Sequence, residues 1–262
     1  MALTKISRGL LNTGVSDSSD ATAITIDSSE KVGLNGLSAG DYWSSSNQLV
    51  LGNTASGANG GMSIVTASDA VGQIYFADGT SGDAQYRGQI QYVHSSDHMD
   101  FHTAAAYKMR LDSSGNLIKP SNCSFSARHS TTVSNFGINS YVQVPFDSEI
   151  YDNGGNLASS GTFTAPVTGR YLLCATVRFG SVDASALYSR IVIATSNRTY
   201  QGSLLDHSVL FSGDADYHVY FANFIADMDA NDTANVSFYQ HSGDAQADLA
   251  GDESFFQGEL IG

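Results

Sequence analysis

Residues that build helices and covalent staples are scarce in this chain of 262 residues. Only four lysines and four glutamates are present, and these are the usual residues of a helix surface. The other 22 acids are aspartates, which favour turns over helix interiors. A helical bundle or coiled coil does not fit that composition. The two cysteines, Cys123 and Cys174, cannot form a disulfide framework, so a protein made in a reducing cytoplasm is expected. No apolar run reaches the roughly 18 residues of a membrane-spanning helix. The opening, Met1-Ala2-Leu3-Thr4-Lys5-Ile6-Ser7-Arg8-Gly9-Leu10, shows no secretory apolar region and no small-residue cleavage site. Basic residues number 12 against 26 acids, a net charge of −14, and no lysine follows Lys119. That balance argues against nucleic-acid binding. No Walker loop, H-E-x-x-H or C-x-x-C motif occurs, and the sequons at Asn197 and Asn235 carry little meaning without a signal peptide.

What is present points to β-structure. The 26 glycines, 13 tyrosines, 13 phenylalanines and 42% apolar content supply a packed core rather than global disorder. Residues 1–119 carry 11 acids and 7 bases, and residues 120–262 carry 15 acids and 5 bases. The composition shifts at Lys119-Pro120-Ser121-Asn122, where proline and small polar residues read as a linker. The expected division is a β-rich region over 1–119, a linker over 120–130 and a second domain over 131–262.

In the first region, Ala23-Ile24-Thr25-Ile26-Asp27-Ser28-Ser29 alternates apolar and polar residues and stops in a turn. Lys108-Met109-Arg110-Leu111-Asp112-Ser113-Ser114 does the same 85 positions later. Two copies of a strand-plus-turn phrase suggest a modular, elongated assembly. Between them, Gln73–Gly79 and Gly88–Val93 read as a hairpin or meander. Residues 35–62 hold too few large apolar groups for a core of their own, so another chain or copy must cover them to order them. In the second region, Tyr171, Leu173, Ala175, Val177 and Phe179 fall on one strand face. The run 217–225 is apolar on both faces, as expected for a strand buried between two layers or against a neighbouring subunit. Turn-prone clusters at 153–156, 212–214, 229–232 and 242–244 separate further strands, a pattern that predicts a β-sandwich or jelly roll.

Three patterns bear on chemistry. Gly36-Leu37-Ser38-Ala39-Gly40 matches a nucleophile elbow, but no helical period follows it, so a loop is expected. His98, Asp100 and His102 share one strand face, and histidine and carboxylate are side chains that ligate metal ions; otherwise they form a solvated face with Met99 and Phe101 in the core. Asp227, Asp229 and Asn231 resemble the start of a calcium loop. Asp232 and Phe238 stand where the EF-hand form needs Gly and Glu, which excludes that form and makes a solvated turn the ordinary reading.

The stretch Tyr141-Val142-Gln143-Val144-Pro145-Phe146, then Tyr151-Asp152, then Gly161-Thr162-Phe163-Thr164-Ala165-Pro166-Val167-Thr168-Gly169-Arg170-Tyr171 resembles the opening of the complement C1q and tumour-necrosis-factor-like family. Asp229–Val236 resembles its turn before the penultimate strand, and Phe256-Gln257-Gly258-Glu259-Leu260 its F-x-G-x-L closing strand. Asn231 stands where that family prefers Gly, and Asn tolerates the left-handed backbone. The resemblance covers residues 131–262 and implies an all-β, ten-stranded jelly roll that assembles as a homotrimer and binds rather than catalyses. Met1–Leu11, and the phrase from Gly88 through Met109-Arg110-Leu111-Asp112-Ser113-Ser114-Gly115-Asn116-Leu117, are similar to fibre proteins of tailed bacteriophages.

Together these resemblances imply a structural virion protein. It would be a trimeric tail fibre or spike whose head is displayed for adhesion to a host-surface glycan or protein. The N-terminal, elongated attachment region would join other virion proteins. It would be made in the host cytoplasm and end on the virion surface, with no membrane insertion, no catalytic residues and no cofactor beyond calcium or an axial metal ion. Exposed tyrosines and Trp43 could stack on sugars. A capsid head-fibre or decoration protein is the alternative within the virion. A polysaccharide-degrading tailspike would need a groove with paired carboxylates, and a non-viral C1q-like lectin would need a secretion signal.

Overall fold

Alternating apolar and polar residues between aspartate- and glycine-rich turns produce strands along the whole described chain. The computed structural model describes residues 24–34, 37–52 and 54–262. They fall into two compact units, a smaller one within Met1–Gln73 plus Val93–Ser95 and a larger one of Ile74–Tyr92 plus Ser96–Gly262. In the smaller unit, β1 (Ile24–Ile26) and β2 (Val32–Leu34) form an antiparallel hairpin, and β3 (Leu49–Val50) runs parallel to β2. Further along the chain, β4 (Val71–Phe76), β5 (Gly88–Val93), β6 (His98–Thr103), β7 (Ala106–Leu111) and β8 (Leu117–Ile118) form a five-stranded meander in that order.

The repeated strand-plus-turn phrase folds the same way twice, apart from Ala23, which lies outside the described residues. Asp27 Oδ1 accepts from the N–H groups of Ser29 and Lys31 at 2.8 and 3.1 Å. Asp112 Oδ1 accepts from Ser114 and Asn116 at 2.9 and 2.8 Å. Glu30 and Gly115, at equivalent places, both take left-handed backbone, with φ of 63° and 85°. An aspartate that bonds the backbone two and four residues ahead closes a hairpin turn locally, without tertiary support. The Asn116 side-chain amide, which donates to Asp112 Oδ2 at 2.9 Å, heads the hydrogen bonds that hold Asp112 below the ordinary carboxylate range, and the backbone bonds from Lys31 and Ser29 do the same for Asp27.

The rest of the chain forms a two-layer sandwich. Its strands are β9 (Ser124–Arg128), β10 (Val142–Gln143), β11 (Ser148–Asn153), β12 (Phe163–Thr164), β13 (Gly169–Val182), β14 (Tyr188–Thr195), β15 (Thr199–Asp206), β16 (Ala215–Met228), β17 (Thr233–His241), β18 (Asp248–Leu249) and β19 (Phe255–Leu260). One sheet has the order β11-β9-β19-β13-β16, with β18 beside β13. The other has the order β10-β17-β14-β15, with β12 also on β17. Consecutive strands β13 and β14 lie in opposite sheets, as do β16 and β17, and the first and last long strands, β9 and β19, are neighbours. This interleaving is a C1q/TNF-like jelly roll. It contains eleven strands against the ten expected, and three of them, β10, β12 and β18, are two residues long.

The core lies between the sheets. Tyr171, Leu173, Ala175, Val177 and Phe179 are all buried, as the period-two pattern of β13 predicts. Phe179 stacks on Phe238 of β17 with ring centroids 3.9 Å apart, and Phe125 stacks on Phe163 at 4.7 Å. The glycine of the closing F-x-G-x-L strand has a steric cause. A Cβ on Gly258 would lie 2.6 Å from Phe125 and 2.9 Å from Leu173. Gly161, which opens the G-x-F motif, has φ +81°, and Tyr171 at the motif's end donates its hydroxyl to the Val167 carbonyl at 2.7 Å.

One boundary differs from expectation. Residues 120–130 include β9, which sits in the middle of its sheet between β11 and β19. Its polar sequence, Ser-Phe-Ser-Ala-Arg, hides a strand whose Phe125 and Ala127 are buried. Even Asn122, just before it, donates to the Leu260 carbonyl at 3.0 Å. No helix of the described residues is long and apolar enough to cross a membrane.

Candidate functional site

The histidine strand β6 carries a closed polar network. Arg110 donates from Nε to Asp100 Oδ1 at 2.7 Å and from Nη2 to Oδ2 at 2.9 Å. His98 Nε2 lies 3.2 Å from Asp100 Oδ2, and Ser96 Oγ lies 2.8 Å from His98 Nδ1. Gln91 donates to Asp100 at 3.3 Å and meets His102 Nε2 at 3.1 Å. The bidentate guanidinium holds the Asp100 carboxyl below its ordinary range, against the upward push of burial. The expected solvated face is therefore corrected. His98 and Asp100 are buried, whereas Met99 and Phe101 are half-buried. Arg110 on the adjacent strand supplies the charge that makes burial of Asp100 tolerable.

At the other candidate, Asp227 lies next to last in β16, opposite Arg170, and Asp229 and Asn231 lie in the following turn. Asn231 takes φ 76°, as the Gly-to-Asn departure requires. Asp232, not Asp229, closes the turn by accepting from the Asp229 N–H at 2.8 Å, and the Asn231 N–H bonds the Ala165 carbonyl at 2.8 Å. Among the described residues, no three His, Cys, Asp or Glu side chains are grouped to hold a metal ion. At the elbow-like motif, Gly36 lies outside the described residues and Ser38 precedes a single 3-10 turn, Ala39–Asp41.

A buried serine–histidine pair escaped sequence reasoning, because no spacing announces it. Ser189 Oγ lies 2.7 Å from His207 Nε2 and 2.5 Å from the Tyr220 hydroxyl. His207 Nδ1 meets the Asp183 backbone carbonyl at 2.6 Å, not a carboxylate. All three side chains are fully buried. Burial pushes the Tyr220 hydroxyl up to about 12, partly offset by Ser189. These contacts tie β14, β16 and the short helix α1 (His207–Leu210) together inside the core.

The most conspicuous surface is the outward face of the β11-β9-β19-β13-β16 sheet. On β16, Tyr220, Ala222, Ala226 and Met228 point inward, while Tyr217, Phe221 and Ile225 stand 63%, 52% and 58% exposed. Phe221 is opposite Thr176, and Ile225 opposite Leu172. Ile150 and Tyr151 extend the apolar surface on β11. Between β11 and β13, a hollow of about 200 Å³ is lined by Phe125, Tyr151, Leu172, Cys174, Gln257 and Glu259. Both cysteines are free, and burial pushes both thiols up. At the far end Arg178 lies over the Tyr217 ring, 3.9 Å from its centroid, and pairs with Glu253. Large apolar side chains exposed together on a sheet face mark an interaction surface. The run 217–225, apolar on both faces, carried that signal in the sequence.

Comparison with solved structures returns similar domains. The globular domain of zebrafish complement 1qA protein is 15% identical with a TM-score of 0.39, covering 53% of this chain and 98% of its own. Murine APRIL is 13% identical with a TM-score of 0.39, covering 53% and 99%. The Eiger TNF of S. frugiperda has a TM-score of 0.36 at 14% identity, covering 54% and 93%. No protein-family model matches the chain, and no curated protein matches its sequence. The assignment of the fold rests on the strand order described above.

Proposed function

We propose that this chain is a structural protein that works as a homotrimer, its jelly roll forming the binding head of a bacteriophage tail fibre displayed for adhesion to the host surface. The observation that carries the proposal is the bare apolar face built on Phe221, Ile225 and Tyr217. Apolar area removed from water contributes about 25 cal/mol per Å², so a sheet face of this kind is stabilised by covering it with identical copies. The β4–β8 meander supports the same reading. It also exposes apolar side chains, among them Tyr75, Phe76 and Leu117, and its sequence from Gly88 to Leu117 carries the resemblance to phage fibres. The role is one of passive binding, since the close Ser189–His207 pair is sealed in the core.

Sedimentation equilibrium of the full chain tests the assembly. Three times the 27.7 kDa chain mass is expected, and a monomeric wild-type chain would overturn it. The double substitution Phe221→Asp with Ile225→Asp should give a folded monomer. Gold-labelled antibody against the jelly roll tests the location on purified particles. Label on the tail appendage is expected, label on the capsid would replace the fibre by a decoration role, and unlabelled particles would end the virion reading.

A further inference from the structure

The other sheet presents a different surface. Tyr188, Arg190 and Ala194 of β14 lie on the outward side, alternating with the buried Ser189, Ile191 and Ile193, and Val192 between Arg190 and Ala194 is covered, at 2% exposure. Their partners on β17 are His241, Tyr239, Ser237 and Asn235 in register. Tyr141, which leads into β10, completes a row of rings. Tyr141 lies 4.9 Å from Tyr239, Tyr239 lies 5.9 Å from Tyr188, and Tyr188 stacks on His241 at 5.0 Å.

Arg190 sits among these rings. Its guanidinium carbon is 5.4, 5.7 and 5.6 Å from the centroids of Tyr141, Tyr188 and Tyr239. Cation–π attraction holds it there. No carboxylate among the described residues pairs with it. Its Nε is buried without a hydrogen-bond partner. In a chain with 26 acids and 12 bases, an arginine held by aromatic rings and left without an acid is complementary to an anionic group from elsewhere. The β14–β15 ladder also slips between Arg190 and Val192, the kind of irregularity that re-aims side chains beside binding sites.

A cleft of about 390 Å³ adjoins the rings, lined by Tyr141, Val192, Ala194, Thr199, Gln201 and Ser237. That volume falls in the range of small-ligand sites. Its lining combines the 45%-exposed Tyr141 ring, Val192 and Ala194 with the Thr199 hydroxyl and the Gln201 amide, while the buried Ser237 already donates its hydroxyl to Asn235 at 3.1 Å. A sugar ring has an apolar face for the tyrosine and hydroxyls for Thr199 and Gln201. A carboxylate on that ring matches the guanidinium fork.

We propose that this face binds a carboxylate-bearing sugar of a polysaccharide, the carboxylate on Arg190 and the ring in the cleft against Tyr141. The proposal deepens the adhesion reading and rests on it for the source of the polysaccharide. Calorimetric titration of the full chain with short oligosaccharides of galacturonate, glucuronate and N-acetylneuraminate, against a neutral galactose oligosaccharide, tests it. At least one acidic sugar should bind about tenfold or more tighter than the neutral one. Arg190→Gln should remove that preference. Tyr141→Ala, at an exposed position, should weaken binding of the same sugar about tenfold while leaving the circular dichroism spectrum unchanged. Binding of none of the three acidic sugars, equal binding of the neutral one, or full binding by Arg190→Gln would each overturn the proposal. A trimeric chain that binds none of them loses this inference alone. A monomeric chain that binds an acidic sugar loses the assembly reading alone.

Discussion

The β4–β8 meander and the β9–β19 sandwich bury their side chains by opposite means. In the meander, the most buried side chains of the central strand β6 are His98 and Asp100, and Arg110 makes that possible with two hydrogen bonds. In the sandwich the interior is aromatic, with Phe125, Phe163, Phe179, Phe238 and Phe256 all fully buried. Among the polar exceptions there, Ser189 Oγ lies 2.7 Å from His207 Nε2. A two-layer sandwich excludes water between its sheets and needs no charge to do so. A meander that exposes apolar side chains such as Tyr75 and Phe76 gains less from burial, and an ion pair fixes its register across β6 and β7. The sandwich should therefore respond to volume, and the meander to pH.

The largest effect is expected from Gly258→Ala. The added Cβ meets ring and methyl carbons of Phe125 and Leu173 well inside ordinary contact distance. Overpacking of a filled core costs about 1–3 kcal/mol. Urea unfolding followed by tyrosine and tryptophan fluorescence should show a lower midpoint at an unchanged slope. An unchanged midpoint would mean that the sandwich core is looser than the jelly-roll packing described above.

An acid titration probes the meander. Asp100 has a folded-state pKa below its ordinary value of 3.8, chiefly through Arg110. A depressed carboxylate contributes stability that is fully present above its unfolded pKa and is lost as pH falls through the folded one. Protection of the β6 and β7 amides against hydrogen exchange should stay level down to 3.8 and fall below it. Asp100→Asn should lower protection at neutral pH and flatten the dependence. A wild-type profile that stayed level well below that value would sink the ionic account of β6.

Much of the sandwich was legible, and the reason is the two-residue period. Tyr171 to Phe179 on β13 alternates without a break, and Gly161 and Tyr171 of the 161–171 motif each have a fixed job. The two aspartate turns at 27 and 112 were legible because their hydrogen bonds are local. Strand β9 was hidden because its two inward residues are flanked by serines and an arginine, a pattern that polar linkers share. The meander itself was legible, but the face of β6 was misread for a related reason. A His-x-Asp-x-His run reads as solvated until Arg110, ten residues on, is placed beside it by strand pairing. The rings around Arg190 were likewise invisible, since Tyr141, Tyr188 and Tyr239 meet only through the pairing of β14 and β17 and the approach to β10.

The smallest effect separates local turn chemistry from both kinds of core. Asn231 is left-handed in the β16–β17 turn, where its N–H bonds the Ala165 carbonyl. That bond belongs to the backbone and survives substitution. Glycine takes the left-handed conformation without a Cβ penalty but loses more freedom on folding, so Asn231→Gly should change stability by no more than about 0.5 kcal/mol. Alanine keeps the Cβ and lacks the short amide that eases this conformation, and Asn231→Ala should cost about 1 kcal/mol. Denaturation midpoints of the two variants read the difference directly. If alanine proved as stable as asparagine, the left-handed turn would not be what selects the residue at 231, and the match of this turn to the Gly-Asp turn of the C1q-like fold would lose its physical basis.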